Sequence, residues 1–166
     1  IEAEKDNLLN IRRQILEDGK DKKYDVLVGL SGGADSSTVL HHAVDLGFRP
    51  LTFSVDNGYN DPRADENIFR LVETLKVPFY RYTIDLKKYK ELQVAFIKSG
   101  VPNIEICKDH ILLASTYQMA DENDIKWILS GGNIATESIM PESWGYNARD
   151  LVHIEAINGG KVDGLP

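Results

Sequence analysis

The chain carries two hydrophobic rhythms: short apolar runs of strand length, and longer stretches in which apolar residues return every three or four positions. The first eighteen residues put Leu8, Ile11, Ile15 and Leu16 on one helical face among charges. Gly19 stops that helix and Lys20 to Lys23 form a polar linker, so the segment reads as a docking helix. Tyr24 to Leu30 predicts a buried strand, followed by a glycine-rich turn and a helix carrying Val39, Leu40, Ala43 and Val44 that ends at Gly47. Leu51 to Val55 predicts a second strand and Asp56 to Asn60 a turn. Asp61 and Pro62 are then the N-cap and first position of a helix with Ile68, Leu71, Val72 and Leu75 on its apolar face. A third strand spans Pro78 to Thr83. Asp85 caps a helix whose apolar face is Leu86, Tyr89, Leu92, Phe96 and Ile97, and Ser99 to Asn103 breaks the chain. A further helix begins near Asp109, runs through Ala114, Tyr117 and Ala120, and leads to a strand at Lys126 to Ser130 that ends at Gly131-Gly132-Asn133.

Strands alternating with helices predict an α/β fold, doubly wound, with a mainly parallel sheet and helices on both faces. Ligands of such sheets bind beyond the carboxyl ends of the strands. The loops after Leu30, Val55 and Ser130 are rich in glycine and short polar residues, and all three are expected along one edge. A length of 166 residues suits one domain. The division is a helix and linker over 1–23, the α/β domain over 24–157, and a tail over 158–166.

Charge and cysteine usage narrow the function. Nineteen basic residues against twenty-six acidic give a net charge of -7, which argues against a broad grip on nucleic acid or an anionic membrane. A small anion held by backbone amides remains open. Cys107 is the single cysteine, and no Cys/His cluster has zinc-site spacing, which favours a reducing, cytoplasmic location. No apolar run approaches a membrane span, and Ile1 to Asn10 carries charges where a signal peptide would be apolar. The chain does not begin with methionine and its last residues do not read as a finished element, so a piece of a longer protein is expected.

The stretch Ser31-Gly32-Gly33-Ala34-Asp35-Ser36-Ser37 joins a strand, a double glycine and hydroxyls at a helix start. Glycines let the backbone turn and approach a ligand closely. The first amides of the helix lie along its macrodipole and can bind phosphate, and Ser31, Ser36 and Ser37 add hydroxyls. A carboxylate beside phosphates is repulsive alone, so Asp35 points to Mg²⁺ bridging it to them. The plainer alternative is a glycine turn with a polar N-cap.

Three motifs compete here. A Walker A loop needs a lysine before the hydroxyl, and none lies between Ser31 and Val39. The G-x-G-x-x-G spacing of a dinucleotide fingerprint is missing. Gly29-Leu30-Ser31-Gly32-Gly33 does satisfy the G-x-S-x-G nucleophile elbow, but that fold needs several strands and an oxyanion loop ahead of the serine, and here a helix alone precedes the strand.

Ser31 to Ser36 resembles the SGGxDS signature of the PP-loop ATP pyrophosphatases, which include GMP, NAD, asparagine and argininosuccinate synthetases and tRNA-modifying enzymes. Asp56-Asn57-Gly58, Lys108-Asp109-His110, Ser130-Gly131-Gly132-Asn133, Ala135-Thr136-Glu137-Ser138 and Ser143-Trp144-Gly145-Tyr146 are similar to one branch of that superfamily. It is the N-acetyl sugar amidotransferases of bacterial surface-polysaccharide and nonulosonic-acid synthesis, and the resemblance covers Tyr24 to Ile157. It implies a ligase that adenylates the acetamido oxygen of an N-acetylated, nucleotide-linked sugar, releases pyrophosphate, and lets ammonia displace AMP to give an acetamidine. It also implies ATP and Mg²⁺ as cofactors, with Ser31, Gly32, Gly33, Asp35, Ser36 and Ser37 on phosphates and metal. Phe53, Val55, Asp56, Gly131 and Gly132 would flank adenosine. Ammonia would come from a separate glutaminase, with a cyclase-like companion subunit and a homodimer among the expected assemblies. Larger relatives add a cysteine-rich N-terminal segment and more C-terminal sequence, neither of which is in this sequence.

Outside the loop, Asp109 and His110 sit where a loop becomes a helix. They read either as an N-cap and a solvated first-turn residue or, by family position, as catalytic groups alongside Asp35, with His110 orienting substrate or shuttling a proton. Cys107 is a nucleophile or a small buried hydrophobe. Asn133, Glu137, Ser138, Trp144 and Tyr146 are candidates for sugar binding or for loop packing. His41 and His42 cannot share a helix face, so at least one is expected in solvent. Two alternatives stay open for the whole chain: a PP-loop thiolation or tRNA-modifying ligase, and a nucleotide-binding module without chemistry.

Overall fold

The computed structural model describes residues 2–132, 147 and 149–159. The chain order is α1 (Glu2–Asp18), β1 (Val26–Gly29), α2 (Ala34–Asp45), β2 (Pro50–Asp56), α3 (Pro62–Leu75), β3 (Phe79–Thr83), α4 (Leu86–Ser99), α5 (Ile106–Glu122), β4 (Trp127–Leu129) and α6 (Leu151–Asn158). The four strands form one parallel sheet in the order β3-β2-β1-β4. β1 pairs in parallel with β2 on one side, Leu27 opposite Leu51, and with β4 on the other, Leu27 opposite Ile128. The strand order reverses at β1, which makes the β1/β4 boundary a topological switch point.

Residues alternate between sheet faces along a strand, yet Val26, Leu27 and Val28 are 0%, 0% and 1% exposed. Both faces are therefore covered, as expected of a doubly wound sheet, and the continuous apolar run follows from that. Contacts group the chain into two units, one holding residues 2–54, 60–81 and 119–132 and the other 55–59, 82–118 and α6. In the first, Val26, Val28 and Leu30 pack with Leu40 and Ala43 from α2, Ile68 and Val72 from α3, Phe48 from the turn after α2, and Ile15 from α1. α1 docks through Ile15 at its carboxyl end while Leu8, Leu9 and Ile11 stay exposed, so the expected apolar face is only half used. Its end is fixed by Asp18, which accepts from Trp127 Nε1 (2.8 Å) and pairs with Lys126 (2.9 Å). Those two bonds, Lys126 first, hold the Asp18 carboxyl below its usual range.

The expected helix starts hold for α3 and α4. Asp61 accepts from Arg63 N with Pro62 in the first turn, and Asp85 accepts from the amides of Lys87 and Lys88. In the second unit, Ile84, Tyr89, Leu92, Phe96, Ile106, Cys107, Ile111 and Ile154 form a separate core. Burial of Ile106 and Cys107 in this core carries the start of α5 three residues ahead of the expected Asp109. Asp109 is accordingly not an N-cap: its amide already donates to Glu105 O at 3.1 Å, inside the helical ladder. His110 is half-buried, not solvated. α6 was not expected. Its Leu151 and Val152 are exposed and Ile154 alone is fully buried, so it has no apolar stripe to read; Asp150 caps it by accepting from His153 N. Among the described residues no helix is long and apolar enough to cross a membrane.

Candidate functional site

The carboxyl end of β1 runs directly into the Ser31 to Ser37 loop, and α2 begins at Ala34 with Gly33 as its N-cap. No side chain caps this helix. The first intrahelical bond is Ser37 N to Gly33 O (3.3 Å), so the amides of Ala34, Asp35 and Ser36 have no partner within the helix. Three aligned amides at the positive end of a helix form a receptor for an anion.

Two neighbours shape this receptor by approaching more closely than a side chain would allow. Gly32 has φ +76°, and a Cβ there would lie 2.6 Å from Ala64 Cα and 2.7 Å from Ala64 C, inside the backbone of α3. Gly131, just past β4, would place a Cβ 3.0 Å from Ser36 N and 3.1 Å from Ser36 Cα. The β4 loop thus lies against the first turn of α2, across the switch point. Gly131 leaves the Ser36 amide uncovered where any other residue would block it.

The hydroxyls are arranged less uniformly than the sequence suggests. Ser31 Oγ and Ser36 Oγ bond each other at 3.1 Å, and Ser36 Oγ also accepts from Ser31 N at 3.3 Å. Ser36 is buried, so this pair forms the floor of the loop. Ser37 Oγ turns back and donates to Gly33 O at 2.7 Å, as Thr38 Oγ1 does to Ala34 O, so the Ser37 proton is engaged with the helix. Asp35 is exposed on the first turn beside the free amides. Phe53 is buried with its ring over Gly29, where a Cβ would meet it at 3.5 Å, and its carbonyl accepts from Leu30 N at 2.8 Å. Phe53 therefore supports the strand end from which the loop departs.

The remaining candidates fall elsewhere. Val55 and Asp56 belong to the second unit, where Val55 packs on its core and Asp56 Oδ1 accepts from Gly58 N at 3.0 Å, closing its own turn. Asp109 and His110 are also in that unit, Asp109 in the first turn of α5 and His110 directly after it. Cys107 is 0% exposed, and burial pushes its thiol up to about 11, which suits a core residue better than a nucleophile. His41 and His42 are both exposed, His41 bonding Asp45 at 3.0 Å. Asn133, Glu137, Ser138, Trp144 and Tyr146 lie outside the described residues. The sequence reading missed Asn67, whose side chain donates to Gly32 O at 3.2 Å across 35 positions; a lone exposed asparagine on a helix carries no signal of that contact.

A magnesium ion bound together with ATP retains waters and takes one or two carboxylates plus phosphate oxygens. Among the described residues no group of three or more His, Cys, Asp or Glu could hold a metal by itself. One exposed carboxylate next to an uncapped helix start fits a cation that arrives with the phosphates.

No protein-family model matches the sequence, and no curated protein matches it. Solved structures do share its fold. The chain is similar to the glutamine-dependent NAD+ synthetase of Acinetobacter baumannii in complex with ADP, with TM-score 0.62 and 21% identity over 77% of this chain and 25% of that one. It is similar to the NH3-dependent NAD synthetase of Campylobacter jejuni, with TM-score 0.55 and 18% identity over 76% of this chain and 55% of that one. The NMN synthetase of Francisella tularensis gives TM-score 0.56 and 17% identity over 74% and 53%. This chain thus spans between a quarter and just over half of these three proteins, and its architecture is the parallel α/β fold that they share.

Proposed function

We propose that this chain is the ATP-binding part of an AMP-forming amidotransferase or ligase that acts on an N-acetylated, nucleotide-linked sugar. The observation that carries the nucleotide reading is the uncapped start of α2 at the β1/β4 switch point, kept open by Gly32, Gly33 and Gly131. The amides of Ala34, Asp35 and Ser36 would hold the phosphates, Asp35 would face the Mg²⁺ that travels with them, and Gly131 would leave room beside Ser36. The Ser31–Ser36 floor would fix the loop before the ligand arrives, so little reorganisation accompanies binding.

An amide is a poor electrophile. In the proposed reaction the acetamido oxygen attacks the α-phosphorus, pyrophosphate leaves, and ammonia then adds to the activated carbon and expels AMP, giving an acetamidine. Fixed amides next to the departing pyrophosphate stabilise charge as it develops. The sugar assignment rests on the resemblance of the segments around Asp56, Lys108 to His110, Ser130 to Asn133, Glu137 and Trp144. In it, Asp109 and His110 would act on the acceptor or on ammonia, and Asn133, Glu137, Ser138, Trp144 and Tyr146 on the sugar, while Phe53, Val55, Asp56 and Gly132 would adjoin adenosine. A separate glutaminase, accompanied by a cyclase-like subunit, would supply ammonia in the cytoplasm. That two of the similar structures are named for glutamine or NH3 dependence supports the ammonia half of this reading.

The test incubates the protein with labelled ATP, Mg²⁺, ammonium and a panel of nucleotide-linked N-acetyl sugars, and separates AMP plus pyrophosphate from ADP plus phosphate. AMP formed with one sugar and not without it is expected. ADP overturns the adenylation mechanism, and AMP formed with a carboxylate acceptor alone overturns the sugar assignment.

A further inference from the structure

We infer that Asn67 is a positioning residue that latches the Gly32–Gly33 peptide with its amide turned into the phosphate loop, an inference that rests on the nucleotide reading above. The Gly32 carbonyl and the Gly33 N–H belong to one peptide group. No cis peptide occurs among the described residues, so the carbonyl oxygen and the amide hydrogen of this group point in opposite directions. Whatever holds the oxygen therefore aims the hydrogen. Asn67 Nδ2 donates to Gly32 O at 3.2 Å, and the Gly33 amide, on the other side, donates to Ser31 Oγ at 3.4 Å, on the loop floor formed with Ser36.

A latch is needed because both flanking residues are glycines. A peptide between two glycines can rotate as a unit at little steric cost, since neither neighbour has a Cβ to oppose it. The rotated state would turn a carbonyl oxygen toward an incoming phosphate and carry an amide away from it. The flat face of α3 sets where the latch sits: Ala64 and Asn67 are three apart and share one side of the helix, Ala64 pressing on Gly32 and Asn67 reaching its carbonyl. α3 is itself held in the same unit by Asp65, which pairs with Arg81 at 2.9 Å and accepts from Asn60 at 3.4 Å.

The experiment compares wild type with Asn67→Ala, Asn67→Asp and Asn67→Gln. It reads the ¹⁵N and amide-proton shifts of Gly33 without ligand, the affinities for Mg-ATP and for inorganic pyrophosphate by calorimetry, and thermal melting. Asn67→Ala is expected to shift the Gly33 resonance and to weaken both ligands about tenfold, the worth of one hydrogen bond, while the melting temperature stays put. Asn67→Asp, which sets a carboxylate against the carbonyl, is expected to weaken them further, and Asn67→Gln to recover part of the loss. An unmoved Gly33 resonance in both Asn67→Ala and Asn67→Asp overturns the latch. So does a shifted resonance with unaltered affinities, because the peptide's orientation would then be irrelevant to the site. If wild type binds neither ATP nor pyrophosphate but Gly33 still responds to Asn67, the latch stands and the nucleotide reading falls.

Discussion

The two ends of β1 carry opposite electrostatic arrangements. At its amino end Asp25 is buried at 3% exposure, with both carboxylate oxygens engaged by Arg49: Oδ2 by the backbone N (2.7 Å) and Nε (3.1 Å), Oδ1 by Nη2 (2.7 Å). Gly19 makes room for this pair, since a Cβ there would lie 3.0 Å from Asp25 Cγ. At the carboxyl end, six residues past the strand, Asp35 stands exposed with no hydrogen bond or ion pair to a described residue, beside three helix amides equally unengaged. One end is saturated by its own chain. The other, in the proposed function, meets the nucleotide and its Mg²⁺. The difference teaches how a charge that holds a fold differs from one proposed to meet a ligand: the first is enclosed and fully bonded, the second is exposed and next to unpaired donors.

Substitutions at the two ends should therefore fail differently. The largest effect is expected at Asp25: Asp25→Ala leaves the Arg49 amide and Nε without their acceptor and the guanidinium with the Gly19 and Lys22 carbonyls alone, and should cost about 2–3 kcal/mol of unfolding free energy in urea titration. The nucleotide affinity of the folded fraction should stay unchanged. Gly32→Ala comes next, because a left-handed conformation and the Ala64 backbone both oppose a methyl there. It should lower stability by about 1–2 kcal/mol and weaken Mg-ATP binding more than tenfold by calorimetry. Asp35→Ala should leave stability within about 0.5 kcal/mol, as for an exposed residue without partners. It should weaken ATP about tenfold in Mg²⁺ while leaving Mg-free binding unchanged or slightly tighter. If Asp35→Ala unfolds the chain, or Asp25→Ala removes nucleotide binding from protein that remains folded, the contrast between the two ends is wrong.

Local features of the sequence were legible, and long-range side-chain pairings were not. The strand at Val26, the glycine turn and the caps at Asp61 and Asp85 could be read because each is specified by residues within a few positions of one another. The pairing of Asp25 with Arg49 spans 24 positions and that of Asn67 with Gly32 spans 35, distances over which a single sequence carries no pattern. The hydroxyls show the same divide at short range. Composition placed Ser31, Ser36 and Ser37 together, but only the backbone geometry decides that Ser36 closes the floor while Ser37 folds back onto Gly33. The start of α5 was misplaced because tertiary burial of Ile106 and Cys107, not a capping residue, determines it.

The linker between α1 and β1 has the composition of a protease target, with Lys20, Lys22 and Lys23 in four residues. Arg49 nonetheless holds its carbonyls at Gly19 (2.5 Å) and Lys22 (2.6 Å), Lys22 N closes a turn on Gly19 O, and the Lys22 ammonium is tied to Asp124 at 2.8 Å. Proteases bind their substrates as extended strands with free backbone groups, and this turn offers neither. Brief trypsin treatment of the native chain should leave α1 attached, and Asp25→Ala, by freeing Arg49, should make the same linker an early cut.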